Sequence, residues 1–113
     1  MVKIITTTGN IEGAAITKYL GLVSSNIVIG TNIFSDFKAS IKDIIGGQSK
    51  SYQKNLDELC QRAINEVAQK ATALNANAVV GLKVDVSEIS GNKKSMFMVT
   101  AIGTAVHFEP KSV

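Results

Sequence analysis

The chain has 113 residues, 45% of them hydrophobic, and carries 12 basic against 9 acidic side chains for a formal charge of +3. That length suits a single domain, residues 1–113, with one core and no room for a second. The charges are spread along the chain with Arg62 the sole arginine, aromatics are 5% and tryptophan is absent, so the composition argues against a nucleic-acid binder.

No stretch approaches the ~20 apolar residues of a membrane span, and Met1 to Ile5 is too short for the apolar segment of a secretion signal. Cys60 is the only cysteine, which rules out an intrachain disulfide and points to a reducing, cytoplasmic setting.

In chain order, Lys3 to Thr8 is rich in β-branched residues and ends in the turn pair Gly9-Asn10, which predicts a first strand at a sheet edge. Ala14 to Gly30 predicts a long second strand, with Ile16, Leu20 and Leu22 on one face and Tyr19 and Val23 on the other. The polar triplet Ser24-Ser25-Asn26 predicts a bend, bulge or tight turn. Thr31 or Asn32 can cap a first helix, whose apolar positions Ile33, Phe34, Phe37, Ile41, Ile44 and Ile45 follow helical spacing. Gly46-Gly47 ends it.

Ser49 or Ser51 can cap a second helix from Tyr52 to Leu74, with Leu59, Cys60, Ile64, Val67 and Ala71 on its apolar stripe. Ala78 to Val86 reads as a strand whose Val80, Leu82, Val84 and Val86 share a buried face. Ser90 to Lys94 supplies a hairpin connection. Ser95 to Phe108 returns with Met96, Met98, Ile102 and Val106 on one face and Phe97, Val99, Ala101 and Ala105 on the other, and residues 109–113 read as a frayed tail. The order β-β-α-α-β-β predicts an α+β domain in which two helices cover one side of a largely antiparallel sheet. Because the last strand is apolar on both faces, the uncovered side predicts a homo-oligomer.

The run Gly30, Asn32, Phe34, Asp36, Asp43, Gly46, Gly47, Ser49, Tyr52, with Ala78-Val79-Val80-Gly81 and Gly103-Thr104-Ala105-Val106, resembles the YbjQ-like family over nearly the whole chain. The resemblance implies a dodecin-subunit-like fold and a ring-shaped homopentamer. It implies no assigned activity, and it brings a heavy-metal-binding label that the residues must support. One departure is Asn75-Ala76-Asn77-Ala78, where the family commonly has a glycine and an acid; asparagine tolerates a left-handed helix end, so the fold is expected to survive it.

Asp36 and Asp43, seven residues apart, lie on one flank of the first predicted helix and could hold a divalent cation. Asp36 in the first turn is favoured by the helix dipole, whereas Asp43 in the last turn is not and needs a partner, which Lys42, Lys50 or the backbone amides of Gly46 to Ser51 could provide. Gly46, Gly47, Ser49, Lys50 and Ser51 combine glycines, a lysine and hydroxyls before a helix start without forming a P-loop, since a helix precedes them and Ser49 stands where glycine is required.

Tyr52 reads as a packing tyrosine with a hydroxyl available for acid–base work. Cys60 reads as a small core residue, and His107 as an interface or surface histidine; these are the only soft-metal donors of their kind. The reading is a non-enzymatic homo-oligomer that binds a small ligand or ion, or scaffolds partners, with no nucleic-acid or membrane partner. The alternatives are an enzyme using Asp36, Asp43 and Tyr52 across a subunit interface and a dodecin-like flavin binder, for which no tryptophan is present to stack on the ring.

Overall fold

The computed structural model describes residues 1–30, 50–91 and 94–111. Among these, the elements run β1 (Ile4–Ile5), β2 (Ala14–Gly30), α1 (Lys50–Ala73), β3 (Ala78–Gly91) and β4 (Lys94–Pro110). The strands form one sheet in the order β1-β3-β4-β2. β1 runs parallel to β3, and the other two pairings are antiparallel. The α+β class matches the sequence reading, with a mixed sheet; the first predicted helix and Gly46-Gly47 lie outside the described residues.

α1 crosses one face of the sheet. Its Ala63, Val67 and Ala71 recur every four residues and are fully buried, the spacing that stacks side chains along one helix stripe. They meet Val23 and Ile27 of β2, Val79 and Leu82 of β3, and Val99, Ala101 and Ala105 of β4. The two alanines allow close approach while Val67 fills the centre; each fully buried valine contributes about 1.5–3 kcal/mol.

The helix ends as its sequence suggests. Asn75 takes φ 66°, its amide donates to the Thr72 carbonyl, and the Ala76 amide donates to that of Ala71. This is the paired closure of a Schellman end with asparagine in the left-handed position. Asn77 then extends the sheet with its side chain: its Nδ2 donates to the Phe108 carbonyl at 2.9 Å and its Oδ1 accepts from the Phe108 amide at 2.8 Å. We expect Asn75→Gly to leave stability unchanged or slightly higher, and Asn75→Ala to lower it by about 1 kcal/mol, the strain of a left-handed alanine, as read from urea midpoints.

Register defects change which residues share a face. The β2–β4 ladder shifts between Ile16 and Lys18 and between Tyr19 and Gly21, while Ser24, Ser25 and Asn26 pair in unbroken register with Ile102, Ala101 and Thr100. The expected irregularity is therefore not at the polar triplet, and Leu20, which packs on the core, is separated from exposed Leu22. In β3 the shift lies between Val80 and Lys83, at Gly81 with φ 62°, a backbone state glycine reaches without strain.

That bulge puts Val80 on the face away from α1, in a small cluster with Ala78, Val106, Ile4, Ile16 and Phe108. Leu82 and Val84 stay on the helix side, so the four residues read as one face divide between two. β1 is shorter than expected, yet Thr6 and Thr8 continue its edge role: their carbonyls accept from the Leu82 and Gly81 amides across the bulge.

The C-terminal end also departs from expectation. Ala15 pairs with Glu109 and Ala14 with Pro110, so residues 109 and 110 are part of the sheet rather than frayed, and the Lys111 amide donates to the Gly13 carbonyl just beyond it. β3 has already ended beside Val106, and beyond Phe108 proline's missing N–H leaves no neighbouring strand short of a donor on that side.

Candidate functional site

Three places gather chemically distinctive groups. The first is an open groove of about 590 Å³ at the C-terminal end of α1, between Thr17, Lys18 and Leu20 of β2, Leu74 and Asn75, and His107 and Glu109 of β4. Thr17 is the extra residue of the first β2 bulge, and a bulge re-aims its side chain. Its Oγ1 lies 3.2 Å from His107 Nδ1 and donates to the His107 carbonyl at 3.2 Å. His107 and Glu109, two apart on a strand, point to the same face.

The second is the seam between α1 and β2. Ser25 is buried and donates to Glu66 Oε2. Arg62 Nε approaches the other Glu66 oxygen at 3.8 Å, and Lys70 Nζ donates to the Ser24 carbonyl at 2.6 Å. A serine closed off from solvent with its proton on a carboxylate fastens helix to strand; it is not placed to attack a substrate. Among the described residues every buried side-chain nitrogen and oxygen has a partner.

The third is the sheet face opposite α1. Leu22 is 74% exposed, Val28 55%, and Met96 and Ile102 39% each. They lie on the paired strands β2 and β4, with Ser24, Asn26 and Thr100 between them, and Thr100 Oγ1 donates to Asn26 Oδ1 across the ladder. Toward β3 this face turns polar, where Lys83 and Asp85 pair at 3.8 Å.

Of the residues singled out in the sequence, Asp36, Asp43, Gly46, Gly47 and Ser49 lie outside the described residues. Lys50, Ser51 and Tyr52 form the first turn of α1, and their side chains lie outside the description. Cys60 is half-buried on the α1 stripe against the core, as expected. Burial pushes its thiol above its ordinary value, and the Asp57 carboxylate adds to the rise.

Fourteen residues of helix, about 21 Å, separate Cys60 from the Leu74 end where His107 stands, so the two cannot share an ion within one chain. No three His, Cys, Asp or Glu side chains converge among the described residues. Thr17 and Glu109 were missed: Thr17 because a bulge has no compositional mark, and Glu109 because a proline beside it suggested a tail. The spacing His107-Phe108-Glu109 was the available signal.

A raised pKa means less thiolate at neutral pH. Cys60 should therefore react with an aromatic disulfide reagent at pH 7.5 more slowly than free glutathione and reach the free-thiol rate in urea. A native rate at or above that of glutathione would contradict the placement.

No helix among the described residues is long and apolar enough to cross a membrane. The protein family described as “Putative heavy-metal-binding” matches residues 3–109. A UPF0145 protein of Carboxydothermus hydrogenoformans is 43% identical over 108 residues, 96% of this chain and 98% of that one. Among solved structures, a protein of unknown function from the DUF74 family of Pediococcus pentosaceus superposes with a TM-score of 0.63 at 19% identity, covering 93% of this chain and 96% of that one. The last likeness concerns the fold.

Proposed function

The chain belongs to the YbjQ-like family, and on that premise we propose that it is a ring-forming homo-oligomer acting as a non-catalytic binding or scaffold protein. The observation that carries this reading is the sheet face opposite α1. Leu22 with Ile102 and Val28 with Met96 form two exposed apolar pairs across β2 and β4, on either side of Asn26 and Thr100, and large apolar side chains exposed on one sheet face are of the kind that marks an interface. A second copy of the chain is the occupant we propose.

The strand edges support that choice. Among the described residues β2 is the outermost strand, 17 residues long, with no strand on its far side, and a long unpaired edge is a template for pairing. At the other side of the sheet β1 pairs with β3 only at Ala78 and Val79, and Thr6 and Thr8 reach as far as Leu82. Beyond Leu82, β3 has no neighbouring strand on that side among the described residues. Two unlike open edges on one subunit suit head-to-tail contact, and head-to-tail contact closes into rings when the rotation permits. Five subunits is the closure implied by the family resemblance.

The family's heavy-metal description supports an ion as the ligand class. No catalytic constellation is assembled among the described side chains, and the intersubunit enzyme reading gains no observation. Sedimentation velocity of the untagged chain should show a discrete assembly at micromolar concentration. A species near 12.0 kDa at every concentration would contradict the proposal.

A further inference from the structure

We propose that Lys70 is a gate on the open edge of β2: its ammonium group holds that edge closed at Ser24 in the single subunit and must let go before a second copy of the chain pairs there. The gate acts on the assembly proposed above and rests on it. Which backbone groups of β2 face the open edge follows from β4. The Val106 carbonyl accepts from the Asn77 amide, and the Phe108 amide donates to Asn77 Oδ1, so even-numbered residues of β4 turn their backbone groups toward β3. Backbone direction alternates along a strand, which gives the odd-numbered residues to β2; the Lys111 amide, donating to the Gly13 carbonyl, continues that series. Leu22, Ser24, Asn26, Val28 and Gly30 pair with Thr104, Ile102, Thr100, Met98 and Met96, all even-numbered. Their own amides and carbonyls therefore point away from β4, where no strand lies among the described residues.

Lys70 meets this outward row at Ser24. It stands on the flank of α1 that lies over β2, one turn beyond Glu66, whose carboxylate holds Ser25, and its Nζ donates to the Ser24 carbonyl at 2.6 Å on the exposed side. Glu66 is four residues before it, where helix neighbours commonly meet, yet among the described residues no carboxylate pairs with Lys70. The side chain reaches the strand backbone instead. A strand pairing along Leu22 to Gly30 needs the Ser24 carbonyl as an acceptor and brings its own backbone against a charged amine. Lysine at an open edge guards against indiscriminate pairing, and here a hydrogen bond from a charged donor has to be given up. A strand that brings edge hydrogen bonds alone is turned away. A second copy that also covers Leu22 and Ile102 adds apolar burial that offsets the loss, so the gate makes edge pairing conditional on the right partner.

Sedimentation velocity over a concentration series, with Lys70→Met and Lys70→Arg beside the untagged parent, tests the gate. Lysine, methionine and arginine are all good helix formers, and circular dichroism checks that each variant is folded. The readout is the concentration at half-assembly, taken in moderate urea if the parent does not dissociate without it. Lys70→Met removes the ammonium and should lower that concentration roughly tenfold, since one charged hydrogen bond no longer has to be given up. Lys70→Arg keeps a charged donor and should stay with the parent. Adding Leu22→Glu and Ile102→Glu to Lys70→Met should abolish the gain, because it belongs to this edge and the face beside it. Unchanged or weaker assembly of Lys70→Met, an equal gain in Lys70→Arg, or a gain that survives the two glutamates would overturn the proposal. The parent's profile reports on the assembly separately: a monomeric parent beside an assembling Lys70→Met upholds the gate and contradicts the assembly of the parent, and two monomers contradict both.

Discussion

Replacing Leu22 and Ile102 together with glutamate is expected to release folded monomers. Both side chains project from the face opposite α1 and are exposed in the single chain. They are diagonal neighbours, since Leu22 pairs with Thr104 and Ile102 with Ser24. Neither contributes to the core beneath α1, so far-UV circular dichroism and melting of the isolated chain should change little. In an assembly that covers this face, each loses about 1.5–3 kcal/mol of apolar burial. A desolvated carboxylate is added at each position besides. The interface therefore loses at least about 3–6 kcal/mol, a weakening of roughly a hundredfold to ten-thousandfold, visible as a collapse of the sedimentation profile. Gln69→Glu, on the exposed side of α1, should leave the profile unchanged.

The second large effect concerns the fold itself. Gly103 is buried in β4 opposite the β3 bulge. A Cβ built there would lie 2.6 Å from Val79 Cγ1 and 3.3 Å from the Val80 carbonyl oxygen. Val79 is fully buried, so Gly103→Ala forces either its rotamer or the bulged backbone to move. Overpacking of this kind costs about 1–3 kcal/mol. The expected fall in melting temperature is roughly 5–15 °C for a domain of this size. Val79→Ala should cost stability alone yet relieve part of the clash, so the double variant should lose less than the sum of the two, a coupling measurable in a double-mutant cycle. Strict additivity would show that Val79 is not the obstacle.

These expectations differ in how far the sequence exposed them. α1, β2, β3 and β4 were legible because their apolar periods are long and regular, and the left-handed helix end at Asn75 followed from residue chemistry. The polar triplet at Ser24 to Asn26 misled for an instructive reason. Three polar residues in a strand resemble a break, but Ser25 is met by Glu66, the Ser24 carbonyl by Lys70 and Asn26 by Thr100. All three partners are 41 to 74 residues away, beyond the reach of local pattern.

The bulges were hidden for the converse reason. Inserting one residue into a ladder changes face without changing composition, so Val80 seemed to share a face with Leu82 and Leu20 with Leu22. The parallel placement of β1 beside β3 is likewise set by tertiary contacts, not by the sequence of two isoleucines. Of the candidate site, His107 was legible as a residue type, but its significance depends on Thr17 and Glu109. One is displaced by a bulge; the other is held in the sheet beyond the apparent end of the strand.

The most direct measurement on the proposed assembly is amide hydrogen exchange along β2 in the untagged protein and in the Leu22→Glu, Ile102→Glu variant. In an antiparallel edge strand alternate N–H groups point away from the neighbouring strand, and those of β2 facing away from β4 have no strand partner among the described residues. Protection of both alternating sets in the parent, with the outward set exchanging freely in the variant while the β4-paired set stays protected, is the expected result. Fast exchange of the outward set in the parent would contradict assembly through the β2 edge and the face beside it.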